Sequence, residues 1–338
     1  MQSNSETPIG ILDQRYILLK YLDYGGTSEV YKVKDNLSNK IYAAKIFNKN
    51  SPSIKTEIEN NKIISQNFNP QIPNFIQFIT SSVGPFELKK NSQNSDAPEN
   101  KAYIIFELGT KGDLLKYIKC TNEKLDERFV KVIIIELVKA VRYLHVLGLC
   151  HRDLKLENIA LSGDQYTLKL LDFGFSSKII RTNDGIAEHQ NEYFGTEGYT
   201  APEVLKRIPY DGEKADIFSL GVILFNLRTN SPGFYQAKCY NPKLVRDPNL
   251  LLYNYIRFKE YEDYWKTIGR IINVDELSVQ FKELYQKMVA YNPDERPTLG
   301  QIFNDDYFDD IRALNEDQLQ ALKQEIINEF RRREALIN

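Results

Sequence analysis

The chain of 338 residues is predicted to be an α+β protein in two lobes, a small antiparallel β-rich one first and a larger α-helical one after it. Three observations carry this. From Tyr16 to Phe47 the sequence is dense in Ile, Tyr and Val, in short runs broken at Gly25-Gly26. Such residues suit a pleated surface, and paired glycines suit the turn between strands. After Gly112 the texture changes. Val130, Ile134, Leu137, Val141 and Leu144 follow one another at steps of four, three, four and three, which is one face of a helix.

The elements follow in order. Residues 1–15 read as a polar leader. Strands are expected at Tyr16–Tyr24, Val30–Lys34 and Ile41–Phe47, and a helix at Ile54–Ser65. Two further strands, Phe75–Ser82 and Tyr103–Glu107, flank the run KKNSQNSDAPENK. Its Asn, Ser and Lys content predicts an exposed, mobile loop. In the long helix near Val130, Ile133, Ile135 and Val138 add apolar residues off the main stripe, so it should be largely buried. Two strand-like pieces and then mostly helix complete the chain. Near the end, Asn315 and Gln318 have the spacing of a capping box. Leu319, Leu322, Ile326 and Phe330 then form an apolar stripe. Packing on the second lobe is the favoured reading of that helix, partner docking the alternative, and Arg331–Arg333 read as a solvated face.

Composition excludes several classes. The apolar fraction is 42%, the charged fraction 27% and the net charge −2, so neither nucleic acid nor an anionic membrane is an expected partner. Three unpaired cysteines suit a reducing compartment. The N-terminus lacks a basic start and an apolar run, and no stretch is long enough to span a bilayer. A cytoplasmic or nuclear monomer is the expectation.

Phosphoryl transfer needs a phosphate cradle, metal ligands and a base near the attacking hydroxyl. Three motifs supply candidates in one order: His151-Arg152-Asp153-Leu154-Lys155-Leu156-Glu157-Asn158, then Asp172-Phe173-Gly174, then Ala201-Pro202-Glu203. Together they resemble the eukaryotic protein kinase family, over about residues 16–311. The resemblance implies a bilobal protein-kinase-like fold with a first lobe at 16–107, a hinge at 107–112, a second lobe at 113–311, and an added C-terminal amphipathic helix at 312–338. It implies ATP and Mg²⁺ as cofactors and a protein as substrate.

It also assigns roles. Asp153 would accept the proton of the substrate hydroxyl, and Lys155 would steady the moving phosphoryl group. Asn158 and Asp172 would hold the metal. Lys45 would grip the nucleotide phosphates, paired with a helix carboxylate. Glu57 is favoured because Ile54, Ile58 and Ile64 share its side, while Glu59 is the rival with Ile63 four residues on. Of the glycine-rich loop pattern only Gly25 remains, since Asp23 and Ser28 occupy the outer positions. Val30 and Ala43 would roof the base, with Ala160 as a small floor and Phe106 closing the rear. The main chain of Glu107 and Gly109 would meet the adenine edge, and Asp113 the ribose.

The class within the family follows from smaller signs. Lys155 and Gly195-Thr196 resemble the serine/threonine kinases, and Phe175-Ser176 the calcium/calmodulin-dependent-like group. In the resembled family a bulky residue at Phe175 goes with serine as acceptor. Asp216–Gly221 resembles a structural helix motif, and Glu203 with Arg296 a buried ion pair. Glu192 stands where many such kinases carry an activating phosphothreonine that meets the loop arginine, here Arg152. A pseudokinase scaffold that binds nucleotide without efficient transfer is the alternative. Retention of Lys45, Asp153, Asn158 and Asp172 argues against it.

Overall fold

The computed structural model describes residues 7–25, 28–47, 52–90, 99–181, 187–188, 194–239 and 247–337. The chain divides into two units, Met1–Phe68 with Phe75–Thr110, and Asn69–Asn74 with Lys111–Asn338.

Among its described residues the first unit is built on seven strands: β1 (Gly10–Leu12), β2 (Tyr16–Gly25), β3 (Ser28–Asp35), β4 (Ile41–Phe47), β5 (Phe78–Phe86), β6 (Leu88–Lys90) and β7 (Glu99–Glu107). They form one antiparallel sheet in the order β5-β7-β4-β3-β2-β1-β6. Its end strands, β5 and β6, are consecutive in the chain with only Glu87 between them, so the sheet curls until its two ends are one stretch of backbone. Alternate residues point inward and make the core: Leu18, Tyr31, Val33, Ala44, Ile46 and Ile105, among others. Each Leu, Ile or Val side chain among them contributes roughly 1.5–3 kcal/mol when fully buried. The opposite face carries α1 (Pro52–Gln66), whose Ile54 and Ile58 pack with Phe47, Ala102 and Ile104.

Two expectations are corrected here. The leader does not run to residue 15: Gly10–Leu12 is a strand, with Gly10 opposite Leu18 on one side and Lys90 on the other. Three residues are too few for a period of two to show in a sequence. A Cβ built on Gly10 would lie 2.3 Å from the carbonyl oxygen of Lys89, so only glycine permits this approach. The polar run is not a loop throughout. Lys89 and Lys90 belong to β6 and Glu99–Lys101 to β7, because a ladder is held by main-chain bonds that polar side chains do not impair. Residues 91–98 lie outside the described residues.

The second unit is mainly helical: α2 (Leu114–Lys119), α3 (Glu127–Val146), α4 (Pro202–Leu205), α5 (Gly212–Thr229), α6 (Leu252–Arg257), α7 (Tyr261–Ile268), α8 (Val279–Met288), α9 (Leu299–Phe303), α10 (Asp309–Arg312) and α11 (Glu316–Ile337). Its short strands include β8 (Leu149–Cys150), β9 (Ile159–Ser162), β10 (Thr167–Leu170) and β11 (Ser177–Lys178). The stripe on α3 is buried as its spacing implies, and so are Ile133, Ile135 and Val138. Asp126 caps α3 by accepting the Arg128 N–H at 2.8 Å. Residues 69–74 group with this unit rather than the first. There Asn74 accepts the Leu170 N–H at 2.7 Å and donates to the Leu168 carbonyl at 3.1 Å.

The last helix, α11, opens on the expected box: the Asn315 side chain takes the Gln318 N–H at 2.9 Å, and Gln318 takes that of Asn315 at 3.0 Å. It packs within the second unit through Leu322, Ile326, Ile327 and Phe330. Of the basic run within it, Arg331 and Arg332 are exposed as expected, but Arg333 has 0% exposure and is not part of a solvated face. Among the described residues no helix is long and apolar enough to cross a membrane.

Candidate functional site

In the first unit the antiparallel register sorts side chains between faces. Val30 lies opposite Lys45 and Ala43 opposite Phe106, on the face turned away from Tyr31, Ala44 and Ile105. Thus Val30, Ala43 and Lys45 share one surface because β3 and β4 pair as they do. Asp23 stands across from Val30 on β2, exposed, with Oδ1 taking the Tyr24 N–H at 2.8 Å. Gly25 closes the ladder opposite Ser28. Gly26 lies outside the described residues.

The carboxylate beside Lys45 belongs to Glu57. Nζ and Oε1 are 2.6 Å apart, with the two side chains 14% and 5% exposed. Glu59 is exposed on the same helix. The choice follows from the burial of Ile54 and Ile58, which turns Glu57 inward with them. Out of bulk water such a pair fixes where the lysine amine points. The Glu107 N–H donates to the Gln77 carbonyl at 2.8 Å, and Gly109 follows just past the end of β7.

In the second unit Asp153 is the centre of a compact network. Its Oδ1 accepts the Thr196 hydroxyl at 2.7 Å. Its Oδ2 is 2.9 Å from Lys155 Nζ and accepts Asn158 Nδ2 at 3.0 Å. Lys155 Nζ also donates to the Thr196 hydroxyl at 2.6 Å. Asp153 is 4% exposed, so these partners compensate a carboxylate taken from water. Thr196 is a member of the site that its place in the sequence does not mark as one. Gly195 before it has φ +117°, and a Cβ there would lie 2.8 Å from Thr200 Oγ1 and 3.2 Å from the Arg152 carbonyl oxygen, so glycine is required to bring Thr196 in.

The loop bearing Asp153 is held from below. Asp216 on α5, fully buried, accepts the His151 and Arg152 N–H groups and faces His145 Nε2, each at 2.8 Å. Burial pushes its carboxyl pKa up, but the His145 hydrogen bond, the two histidines and the His151 amide outweigh burial and hold it below the usual value. Arg152 and Asp172 both have positive φ, 66° and 56°, conformations that cost energy and persist where surrounding contacts impose them. Phe173 is buried against the His151 ring, centroids 5.2 Å apart, which leaves Asp172 at the exposed end of its motif.

Asn158 and Asp172 offer donors whose chemistry suits a metal. Asn158 commits Nδ2 to Asp153, so its amide oxygen is the end that can serve a cation. A carboxylate and an amide oxygen are hard donors that fit Mg²⁺. Among the described residues no group of three or more His, Cys, Asp or Glu forms a metal cluster. Magnesium typically keeps waters and substrate phosphates as its other ligands, so a sparse protein set suits it. Asp113 caps α2, taking the Lys116 N–H at 3.0 Å and pairing with Lys116 Nζ at 2.8 Å. Ala160 lies beside it through an antiparallel bridge.

The segment after the metal motif is anchored at its far end. Glu203 meets the guanidinium of Arg296 at 2.6 and 2.8 Å, with Arg296 fully buried. Near the start of that segment Arg152 donates to the Phe175 carbonyl at 2.6 Å and lies 4.6 Å over the Phe194 ring. The expected meeting of Arg152 with Glu192 falls outside the described residues.

A protein kinase domain model matches residues 16–308. Testis-specific serine/threonine-protein kinase 2 of Mus musculus is 40% identical over 147 residues, covering 44% of this chain and 40% of that protein. Serine/threonine-protein kinase SAPK2 of Oryza sativa subsp. indica is 26% identical over 306 residues, 87% of this chain and 76% of its own length. Serine/threonine-protein kinase SRK2E of Arabidopsis thaliana is 27% identical over 314 residues, 90% and 74% respectively. The mouse match spans less than half of either protein, whereas the plant matches and the domain model run through both units. The chain belongs to the protein kinase domain family.

Proposed function

We propose that the chain is a serine/threonine protein kinase that moves the γ-phosphoryl group of ATP to a protein hydroxyl, serine in preference to threonine. The observation that carries this is the network on Asp153, where Lys155, Asn158 and Thr196 converge on one buried carboxylate. Asp153 accepts the proton of the acceptor hydroxyl as its oxygen attacks phosphorus. Lys155, within reach of Asp153 and Thr196, offsets charge on the transferring group. Lys45, oriented by Glu57, grips the nucleotide phosphates. Asn158 and Asp172 would hold the magnesium that comes with the nucleotide, and the ion would supply positive charge to neutralise the phosphates. The serine preference rests on Phe175, which is bulky, 40% exposed and 5.1 Å from Phe194.

The test is transfer of labelled γ-phosphate to a degenerate peptide library. Wild-type protein should label serine peptides above threonine peptides, and Asp172→Asn should abolish labelling. Absence of transfer with retained nucleotide binding would establish the pseudokinase reading instead. A second effect concerns Asp23, a carboxylate across from Val30 where an anionic nucleotide is expected. Asp23→Gly should lower KM for ATP, by no more than about fivefold because salt screens an exposed charge. A higher KM in this variant contradicts the placement.

A further inference from the structure

Arg333 is a fully buried arginine that the chemistry above does not use. Its guanidinium donates to the carbonyls of Tyr117 at 2.9 Å and Glu123 at 3.0 Å, and to Glu329 at 2.6 Å. The first two acceptors are main-chain groups at and just beyond the C-terminal end of α2. The next residue, Glu334, pairs with Lys111 at 3.1 Å, just before the N-terminal end of α2, and accepts the Tyr166 hydroxyl in the turn between β9 and β10. Phe330 fills the space between, with ring centroids 5.5 Å from Tyr117 and 5.8 Å from Tyr166. So α11 holds both ends of α2 and the β9–β10 hairpin at once.

What it holds bears on the nucleotide. Lys111 N–H donates to the Leu161 carbonyl at 3.0 Å, Leu161 N–H to the Gly112 carbonyl at 2.8 Å, and Asp113 bridges to Ala160. The Tyr117 hydroxyl donates to the Lys111 carbonyl at 3.1 Å. Residues 111–113 and β9 therefore form one ladder, and that ladder carries the ribose candidate Asp113 and the base-floor candidate Ala160. We propose that α11 is a built-in brace of this ladder, and that Phe330, Arg333 and Glu334 are positioning residues for nucleotide binding. The proposal rests on the kinase reading for its ligand.

The experiment uses the full chain. Glu334→Ala should raise KM for ATP about threefold to tenfold with kcat within twofold, because the ladder loosens while the Asp153 network is untouched. In nucleotide-free protein, amide exchange over 111–119 and 159–162 should quicken. The double variant Lys111→Glu with Glu334→Lys restores an ion pair of reversed polarity and should bring KM back to within about twofold. An unmoved KM, exchange that does not quicken, or a fall of kcat and melting temperature without a change in KM overturns the brace. Wild-type protein that binds no nucleotide overturns the kinase reading instead, and exchange alone then decides the brace.

Discussion

Replacing Asp153 by alanine should lower kcat by about 10²- to 10⁴-fold, the range of a positioned general base. KM for ATP should stay within about twofold, since the carboxylate acts on the acceptor hydroxyl in the transition state. The geometry gives the reason for the asymmetry. Both oxygens of Asp153 are occupied by Thr196, Lys155 and Asn158, which aim the group. Asp153→Asn keeps the shape and removes the basicity, so it should lose nearly as much rate. Steady-state kinetics with peptide and ATP varied separately would check this. A variant retaining wild-type kcat would remove Asp153 from the mechanism.

The largest expected effect on stability is at Arg296. Arg296→Ala leaves Glu203 nearly buried with its charge uncompensated, and also strips donors from the carbonyls of Ala290 and Lys214. Breaking a buried pair from one side costs about 3–5 kcal/mol. Replacing both partners by apolar residues, Arg296→Met with Glu203→Leu, should cost less, because no bare charge then remains inside. Urea unfolding of the two variants gives the comparison directly. Equal stability of wild type and Arg296→Ala would show that the pair contributes nothing.

Legibility in the sequence followed distance along the chain. Asp153, Lys155 and Asn158 sit within six residues, so their spacing was visible, and the structure brings them onto one carboxylate. Thr196 joins the same network from more than forty residues away, and its only local signal was the glycine before it. The pairing of Lys45 with Glu57 was readable as a preference because apolar neighbours fix which side of a short helix is buried. Arg333 was misread because charge in a run of three arginines predicts solvent. Beside Glu329 on its own helix, its partners are two main-chain carbonyls about 210 residues earlier, and a carbonyl leaves no trace in a sequence. The strand Gly10–Leu12 was missed for its length alone.

That first strand also sets an order of events. During synthesis Gly10–Leu12 can pair, soon after it is made, with its near neighbour, since Gly10 faces Leu18. Its other side cannot be satisfied until Lys90 has been made, 80 residues later. Contacts between segments so far apart form late and slowly, because a long loop must be closed before any bond repays it. The nascent first unit therefore waits with the outer rim of Gly10–Leu12 open, and with the rim of β4 open until β7 enters between β4 and β5. That makes the interval before β7 is complete the period in which this unit is most exposed to pairing with another chain.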